Sequence, residues 1–315
     1  VPERPLQSGE VRVRIEAALT CGTDLKVWKR GYHARMLMPP CPFGHEFAGS
    51  ISEVYPGTPG WNPGDRVVAA NSAPCGTCDS CRRGQENLCD DLIFLNGAYA
   101  ESIVVPARIV ERNLLKLSPN TGFRDAALTE PLSCVVQGLN DLRLESGEHL
   151  LIVGTGPVGL MAAALARHLG VEVTLAGRGP ERLSAARTLG FRQIVDVSGQ
   201  DDVEWAIKSS REGSAFDAVF EAVGRPSTWS ACVRLVRKGG RVNWFGGCPS
   251  DTVVSLDTQL IHYSALTLLA SFHHTPRTIR RALQYIEEGV IRAGDFVTAD
   301  VPLSELPRRF EAMAS

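Results

Sequence analysis

The sequence predicts an α/β protein in two parts: a small all-β unit, then a parallel sheet covered on both faces by helices. Two changes of texture carry this reading. From residue 1 to about 130, short β-type runs lie between Gly- and Pro-rich turns such as "YPGTPGWNPGD". After about residue 145, strand and helix patterns alternate, and the turn "GTGPVG" joins the first strand to the first helix. A length of 315 residues suits two domains, each with its own core.

In the first part the expected strands are "EVRVRIEAA", "FAGSISEV", "DRVVAA" and "AESIVV". In the second part "EHLLIV" reads as a strand and "PVGLMAAALARHLG" as a helix closing on Gly170. "VEVTLA" is a strand and "PERLSAARTLG" a helix with Pro180 at its first position. "RQIVDV", "FDAVFEA" and "GGRVNWFGG" continue the strands, with helical segments around 201–211 and 226–237. Such spacing favours a parallel sheet. The tail carries the amphipathic helix "PRTIRRALQYIEEGVI" and then a short extended piece.

Composition narrows the function classes. A hydrophobic share of 44% against 22% charged residues is ordinary for a soluble globular chain. A formal charge of -2 gives no pull toward nucleic acid or an anionic membrane. The longest uncharged run, "LLIVGTGPVGLMAAALA", is shorter than the roughly 20 apolar residues of a membrane span. No secretory signal pattern is visible, although the chain opens at "VPERP" without an initiator Met. Nine cysteines, an odd number, argue against a secreted disulfide framework and for metal binding in a reducing compartment, by default the cytoplasm.

Four of the cysteines, Cys75, Cys78, Cys81 and Cys89, fall in "PCGTCDSCRRGQENLCDD". Two-residue gaps let neighbouring thiolates converge, and four thiolates at about 2.3 Å close a tetrahedral Zn²⁺ site with no open position. The alternatives are an iron–sulfur cluster, whose bacterial run usually ends in Cys-Pro where Asp90 stands here, or redox thiols.

Gly154, Gly156, Pro157, Val158 and Gly159 form a dinucleotide fingerprint, because the turn follows an apolar strand and opens a helix. A pyrophosphate would sit at the positive helix terminus. At the end of the next strand, where an acid normally meets the ribose of NAD, stand Gly177 and Arg178. Loss of the carboxylate, with Arg178 and Arg182 as partners for a 2′-phosphate, favours NADP over NAD. The plainer reading leaves both arginines solvated.

"TCGTDLKVW" and "PFGHEFAG" bring Cys21, His45 and Glu46 into Gly-flanked turns of one small domain. Three protein ligands leave a fourth position for water or a substrate oxygen, as a Lewis-acid zinc requires.

The motifs "CGTD", "GHEFAG", "NPGDRV", the four-cysteine lobe, "EPLSC" and "GTGPVG" run in the order of the zinc-dependent medium-chain alcohol dehydrogenases, and the chain resembles that family. "TEPLSC" looks most like the polyol (sorbitol) and threonine dehydrogenase branch. The resemblance implies a GroES-like catalytic domain over 1–133 and 272–315, with the structural zinc lobe at 75–89, and a Rossmann doubly wound domain over 134–271. Against the family pattern the chain lacks an N-terminal strand or two and a C-terminal segment. The resemblance makes Cys21 and His45 ligands of a catalytic zinc and leaves the remaining inner-sphere position open between two carboxylates, Glu46 next to the histidine and Glu130, which binds directly or through the zinc's water. It implies two Zn²⁺ per chain. Asp24 would orient His45 and Thr23 would pass the substrate proton on, against a plain turn-cap reading of both. Lys26 stands where many relatives carry a relay His; it contacts a charged group, relays a proton, or is inert. Cys134 is beside Glu130 but off a ligand position, and Cys41, Cys232 and Cys248 read as ordinary small residues. His273 and His274 are candidates for substrate contact or a surface turn.

The implied reaction is reversible oxidation of a secondary alcohol to a ketone, with a small-molecule alcohol or ketone as partner and a homo-dimer or homo-tetramer as assembly. The rival readings are a zinc-stabilised NAD(P)-binding protein without turnover and a zinc-independent reductase.

Overall fold

A computed structural model of the chain describes residues 4–31, 41–200, 203–209 and 216–314. The chain divides into two compact units, Val1–Ser133 with His274–Ser315, and Cys134–His273.

The first unit is built on strands β1 (Val11–Leu19), β2 (Glu46–Val54), β3 (Arg66–Ala69), β4 (Ser72–Ala73), β5 (Ile93–Phe94), β6 (Ser102–Val105) and β7 (Leu114–Lys116). Five make an antiparallel sheet in the order β6-β1-β2-β3-β7, and β4 pairs with β5 separately. Alternate apolar residues from β1, β2 and β6, including Val11, Val13, Phe47, Ile51, Ile103 and Val105, form its core.

Helices intrude on this unit where the sequence suggested only turns and strands. Gly22–Arg30 is helical, started by a capping box at Cys21 and stopped at Gly31, whose N–H reaches the Val27 carbonyl at 2.7 Å. Its apolar periodicity is thin, because among its residues with described side chains, 22–29, Asp24 and Val27 are the buried ones. The tail departs from expectation too. Pro276–Glu287 is the expected amphipathic helix, but Leu306–Ala314 is helical where an extended piece was expected. That helix buries one side chain, Phe310, too few to print a 3.6-residue pattern.

The second unit holds β8 (His149–Val153), β9 (Glu172–Gly177), β10 (Ile194–Asp196), β11 (Phe216–Glu221), β12 (Val236–Trp244) and β13 (Thr267–Ala270). All six run parallel, in the order β10-β9-β8-β11-β12-β13. This is the doubly wound order, which reverses next to β8 and puts a ligand crevice at the carboxyl ends of β8 and β11. β8 is buried along nearly its whole length, so it reads as a continuous apolar run rather than an alternation. Helices Pro157–His168, Pro180–Thr188 and Pro226–Leu235 each begin with proline in the first turn. Of the helix expected over 201–211, Val203–Ser209 is helical, and the rest of that stretch lies outside the described residues. Among the described residues no helix is long and apolar enough to cross a membrane.

Candidate functional site

Cys21, His45 and Glu46 converge in the first unit, with one ligand-type atom of each within 4.8 Å of the others. Cys21 caps helix Gly22–Arg30, its sulfur accepting the Thr23 N–H at 3.4 Å. His45 and Glu46 lie at the start of β2, buried. Asp24, with no exposed surface, does two jobs: its Oδ2 accepts the Cys21 N–H at 3.0 Å and its Oδ1 lies 3.1 Å from His45 Nδ1. A carboxylate acceptor puts the imidazole hydrogen on Nδ1, which leaves Nε2, 3.9 Å from Glu46 Oε1, to face the cluster. One side chain thus makes both the contact of a helix cap, with Cys21 N–H, and a contact with the imidazole.

The electrostatics suit a cation. Cys21 as a residue keeps some exposed surface, yet the packing around its sulfur pushes the thiol up, and Glu46 adds to the rise. Burial pushes Glu46 up to about 8, against the pull of His45 and with the repulsion of Glu130. For His45, burial acts downward, but the Asp24 hydrogen bond and the neighbouring Cys21 and Glu46 hold the imidazole well above its ordinary range. A buried set of two acids, a thiol and an imidazole that resists sharing its protons is a set that a divalent ion would satisfy.

Glu130, buried in the first turn of helix Thr129–Leu142, is close enough to raise both Cys21 and Glu46, and its Oε1 is 3.7 Å from His274 Nε2. His274 is no surface turn: it is 2% exposed, and Nε2 is also 3.0 Å from Asn71 Oδ1. Thr23 is half-buried. Lys26 stands exposed one helical turn beyond Thr23, with no hydrogen bond or ion pair among the described residues. The sequence reading missed Tyr99, whose hydroxyl lies 2.6 Å from Asp24 Oδ2; an aromatic in "NGAYAES" carries no pattern that points there.

Cys75, Cys78, Cys81 and Cys89 also bring all four sulfurs within 4.8 Å. The Cys75–Cys81 and Cys78–Cys89 sulfurs are 4.0 Å and 3.9 Å apart, near the edge of about 3.8 Å of a tetrahedron with 2.3 Å zinc–sulfur bonds. Backbone N–H groups of Thr77 and Cys78 aim at the Cys75 sulfur and hold its thiol down at about 6. A thiolate already solvated by amides is prepared for a metal.

In the second unit, Gly154-Thr155-Gly156 follows β8, and Gly156 caps helix Pro157–His168. A Cβ on Gly159 would sit 1.9 Å from the Gly154 carbonyl oxygen, so the helix can pass the turn this closely only with glycine there. Nothing lies within 4 Å of the corresponding position at Gly156, which leaves room for a phosphate, while Pro157 and Val158 complete the first turn. At the end of β9, a Cβ on Gly177 would meet the Thr155 side chain at 2.0 Å, so an acid at this position is sterically excluded as the turn stands. Arg178 and Arg182 are exposed, Arg178 donating to the Gln200 carbonyl at 2.6 Å. Glu221, fully buried at the end of β11, accepts from Val223 and Gly224 N–H groups and from the Thr228 hydroxyl, and fixes the loop that packs on Gly154.

Two clusters able to hold a metal ion, one thiol–imidazole–carboxylate and one of four thiols, and a glycine turn on a doubly wound sheet together fit the class of dinucleotide-linked redox proteins. Residues 7–115 match the alcohol dehydrogenase GroES-like domain and residues 157–288 the zinc-binding dehydrogenase family, over half of the chain. The chain belongs to the zinc-binding dehydrogenases, in their polyol and threonine dehydrogenase branch, and is a nicotinamide-dependent oxidoreductase of secondary alcohols. It is 36% identical to D-altritol 5-dehydrogenase of Agrobacterium fabrum over 97% of this chain and 89% of that one. It is 28% identical to sorbitol dehydrogenase of Bacillus subtilis, over 97% and 86%. Among solved structures, the alcohol dehydrogenase of Thermus sp. ATN1 superposes with a TM-score of 0.88 at 31% identity, covering 99% of this chain and 93% of that one. A zinc-binding dehydrogenase from Sinorhizobium meliloti 1021, solved with NADP bound, gives 0.88 at 27% identity, covering 98% and 90%.

Proposed function

We propose that the protein is a two-zinc, NADP-preferring dehydrogenase of a polyol-type secondary alcohol. The observation that carries this is the convergence of Cys21, His45 and Glu46 with Asp24 behind the imidazole. In this reading Cys21, His45 and Glu46 hold the catalytic zinc, with Glu130 behind them, and Cys75, Cys78, Cys81 and Cys89 hold the structural one. When bound, zinc would supply Lewis-acid polarisation at this site and a nicotinamide coenzyme would supply the hydride acceptor.

The chain's own residues do the rest. Asp24 keeps the His45 hydrogen on Nδ1, so that Nε2 stays a ligand. Thr23, half-buried beside Cys21, takes the substrate hydroxyl proton and hands it toward solvent. Lys26, exposed on the same helix, offers its ammonium to an anionic group of coenzyme or substrate.

Gly154, Gly156, Pro157, Val158 and Gly159 cradle the pyrophosphate, and Gly177 with Arg178 and Arg182 favours the 2′-phosphate of NADP. The similarity to altritol and sorbitol dehydrogenases supports a polyol substrate, and the assembly is a homo-dimer or homo-tetramer. The test is metal analysis together with a screen of sugar alcohols, amino alcohols and simple secondary alcohols against both coenzymes. Two zinc per chain and at least a tenfold higher kcat/KM with NADP are expected, and Arg178→Gln should erase most of that ratio. One zinc per chain, or a tenfold preference for NAD, would overturn the corresponding half of the proposal.

A further inference from the structure

Tyr99 belongs to no motif that the family reading uses, yet it touches the frame of the metal cluster from three directions. Its hydroxyl lies 2.6 Å from Asp24 Oδ2 and 3.0 Å from the Leu19 carbonyl, the last residue of β1. Its ring lies flat on Gly44, where a Cβ would meet three ring carbons at 2.7–2.8 Å. Gly44 also has φ +86, so both its conformation and its lack of a side chain are needed just before His45. The short segment before Tyr99 grips the same stretch: the Gly97 and Ala98 N–H groups reach the Gly44 carbonyl at 2.8 and 3.0 Å, and the Tyr99 N–H reaches Phe43 at 3.0 Å. Phe310, 2% exposed, closes the far side with its ring 6.0 Å from Tyr99 and 5.8 Å from Phe43.

We infer that Tyr99 is a positioning residue for the Cys21–His45–Glu46 centre, acting through Asp24 and Gly44. Asp24 offers two oxygens to three donors: Cys21 N–H, His45 Nδ1–H and the Tyr99 hydroxyl. The first ties the carboxylate to one ligand and the second to another. The third fixes its rotation, so that both can be held at once. Without the hydroxyl Oδ2 keeps only the longer bond from Cys21 N–H, so the carboxylate is held less firmly about its Cβ–Cγ bond and orients His45 less tightly. This rests on the metal-site reading above.

The experiment uses the holoenzyme and Tyr99→Phe, which keeps the ring on Gly44 and removes only the hydroxyl. Two readouts apply: zinc release to a chelator, followed as two phases, and ¹¹³Cd NMR of the cadmium-substituted protein. The expected result is release from the Cys21–His45–Glu46 site about threefold faster, less than the roughly tenfold or more that follows loss of the partner bonded directly to a ligating histidine, because here that partner, Asp24, is kept and only loosened. The ¹¹³Cd resonance of that site should shift, while the four-cysteine site keeps its rate and its resonance. In a cycle with Asp24→Asn the two effects should be less than additive, because both act on one carboxylate. Two unmoved resonances and unchanged release rates would overturn the role of Tyr99 and leave the metal site standing. A single resonance in the wild type would remove the catalytic metal and this inference together.

Discussion

The two clusters of ligand-type residues in the first unit are assembled in opposite ways. The four-cysteine lobe is local: its sulfurs come from residues 75 to 89, and its supporting donors, Cys75, Thr77 and Cys78 N–H, come from the same loop. The Cys21–His45–Glu46 cluster is assembled from the cap of a helix and from His45 and Glu46 at the start of β2, and is backed by Asp24 of that same helix and by Tyr99 and Glu130 from two further places in the chain. In the lobe, backbone amides meet the Cys75 and Cys89 sulfurs and every cysteine but Cys89 keeps exposed surface, whereas His45, Glu46 and Asp24 of the other cluster are buried and burial pushes the Cys21 thiol and the Glu46 carboxyl up. A closed, local, thiolate-only site can do no more than hold a loop. A buried, mixed set with one acid in reserve can hold an ion and leave it a free position.

The sharpest break of this contrast is Cys21→Ser. We expect kcat/KM to fall roughly 10³-fold, about 4 kcal/mol of transition-state stabilisation, with metal content dropping from two to one per chain. Full activity with one metal would reverse the assignment of the two clusters. Next comes Phe310→Ala, which removes a fully packed ring from the aromatic group of Trp28, Phe43 and Tyr99. The expected cost is about 3 kcal/mol, read by denaturant melting. Because this ring backs Tyr99, metal release from the buried cluster should quicken while release from the lobe does not. Equal acceleration at both sites would show that the buried cluster has no special dependence on distant packing.

Smaller is Cys78→Ser. Loss of the lobe metal should cost about 2 kcal/mol of mainly local stability and expose the 75–89 loop to limited proteolysis. Chains still intact should keep kcat within about twofold. A collapse of kcat in soluble, folded protein would mean that the lobe reaches the chemistry after all.

The same contrast explains what the sequence made legible. Local features were readable: the lobe from its two-residue spacing, the glycine turn from its strand–helix context, and the parallel sheet from alternation, since each is written within a few tens of residues. Helix Gly22–Arg30 was not readable as a helix, because its burial rests on Asp24 and Val27 rather than on an apolar stripe. Leu306–Ala314 was hidden for a similar reason, with a single buried anchor at Phe310. Tyr99 was invisible because its role depends on a chain reversal that brings it 75 positions back onto Asp24. For His274 the sequence left substrate contact and a surface turn open, because the polar residues around it gave no sign that Asn71 and Glu130 lie against its ring and that it is buried.

Lys26 gives the smallest expected effect and tests where the buried site ends. It lies on the same helix as Thr23 and Asp24, but in water. An exposed ammonium meeting an anionic group gains no more than about 1 kcal/mol. Lys26→Ala should therefore raise one Michaelis constant about threefold, for coenzyme or for a charged substrate, with kcat unchanged. Because exposed charges are screened within about 8 Å at physiological salt, the difference should fade as ionic strength rises. A fall in kcat with a displaced pH–rate profile that persists at high salt would instead put Lys26 on the proton path. The boundary between the buried, charge-coupled cluster and its solvated rim would then have to be drawn one helical turn further out.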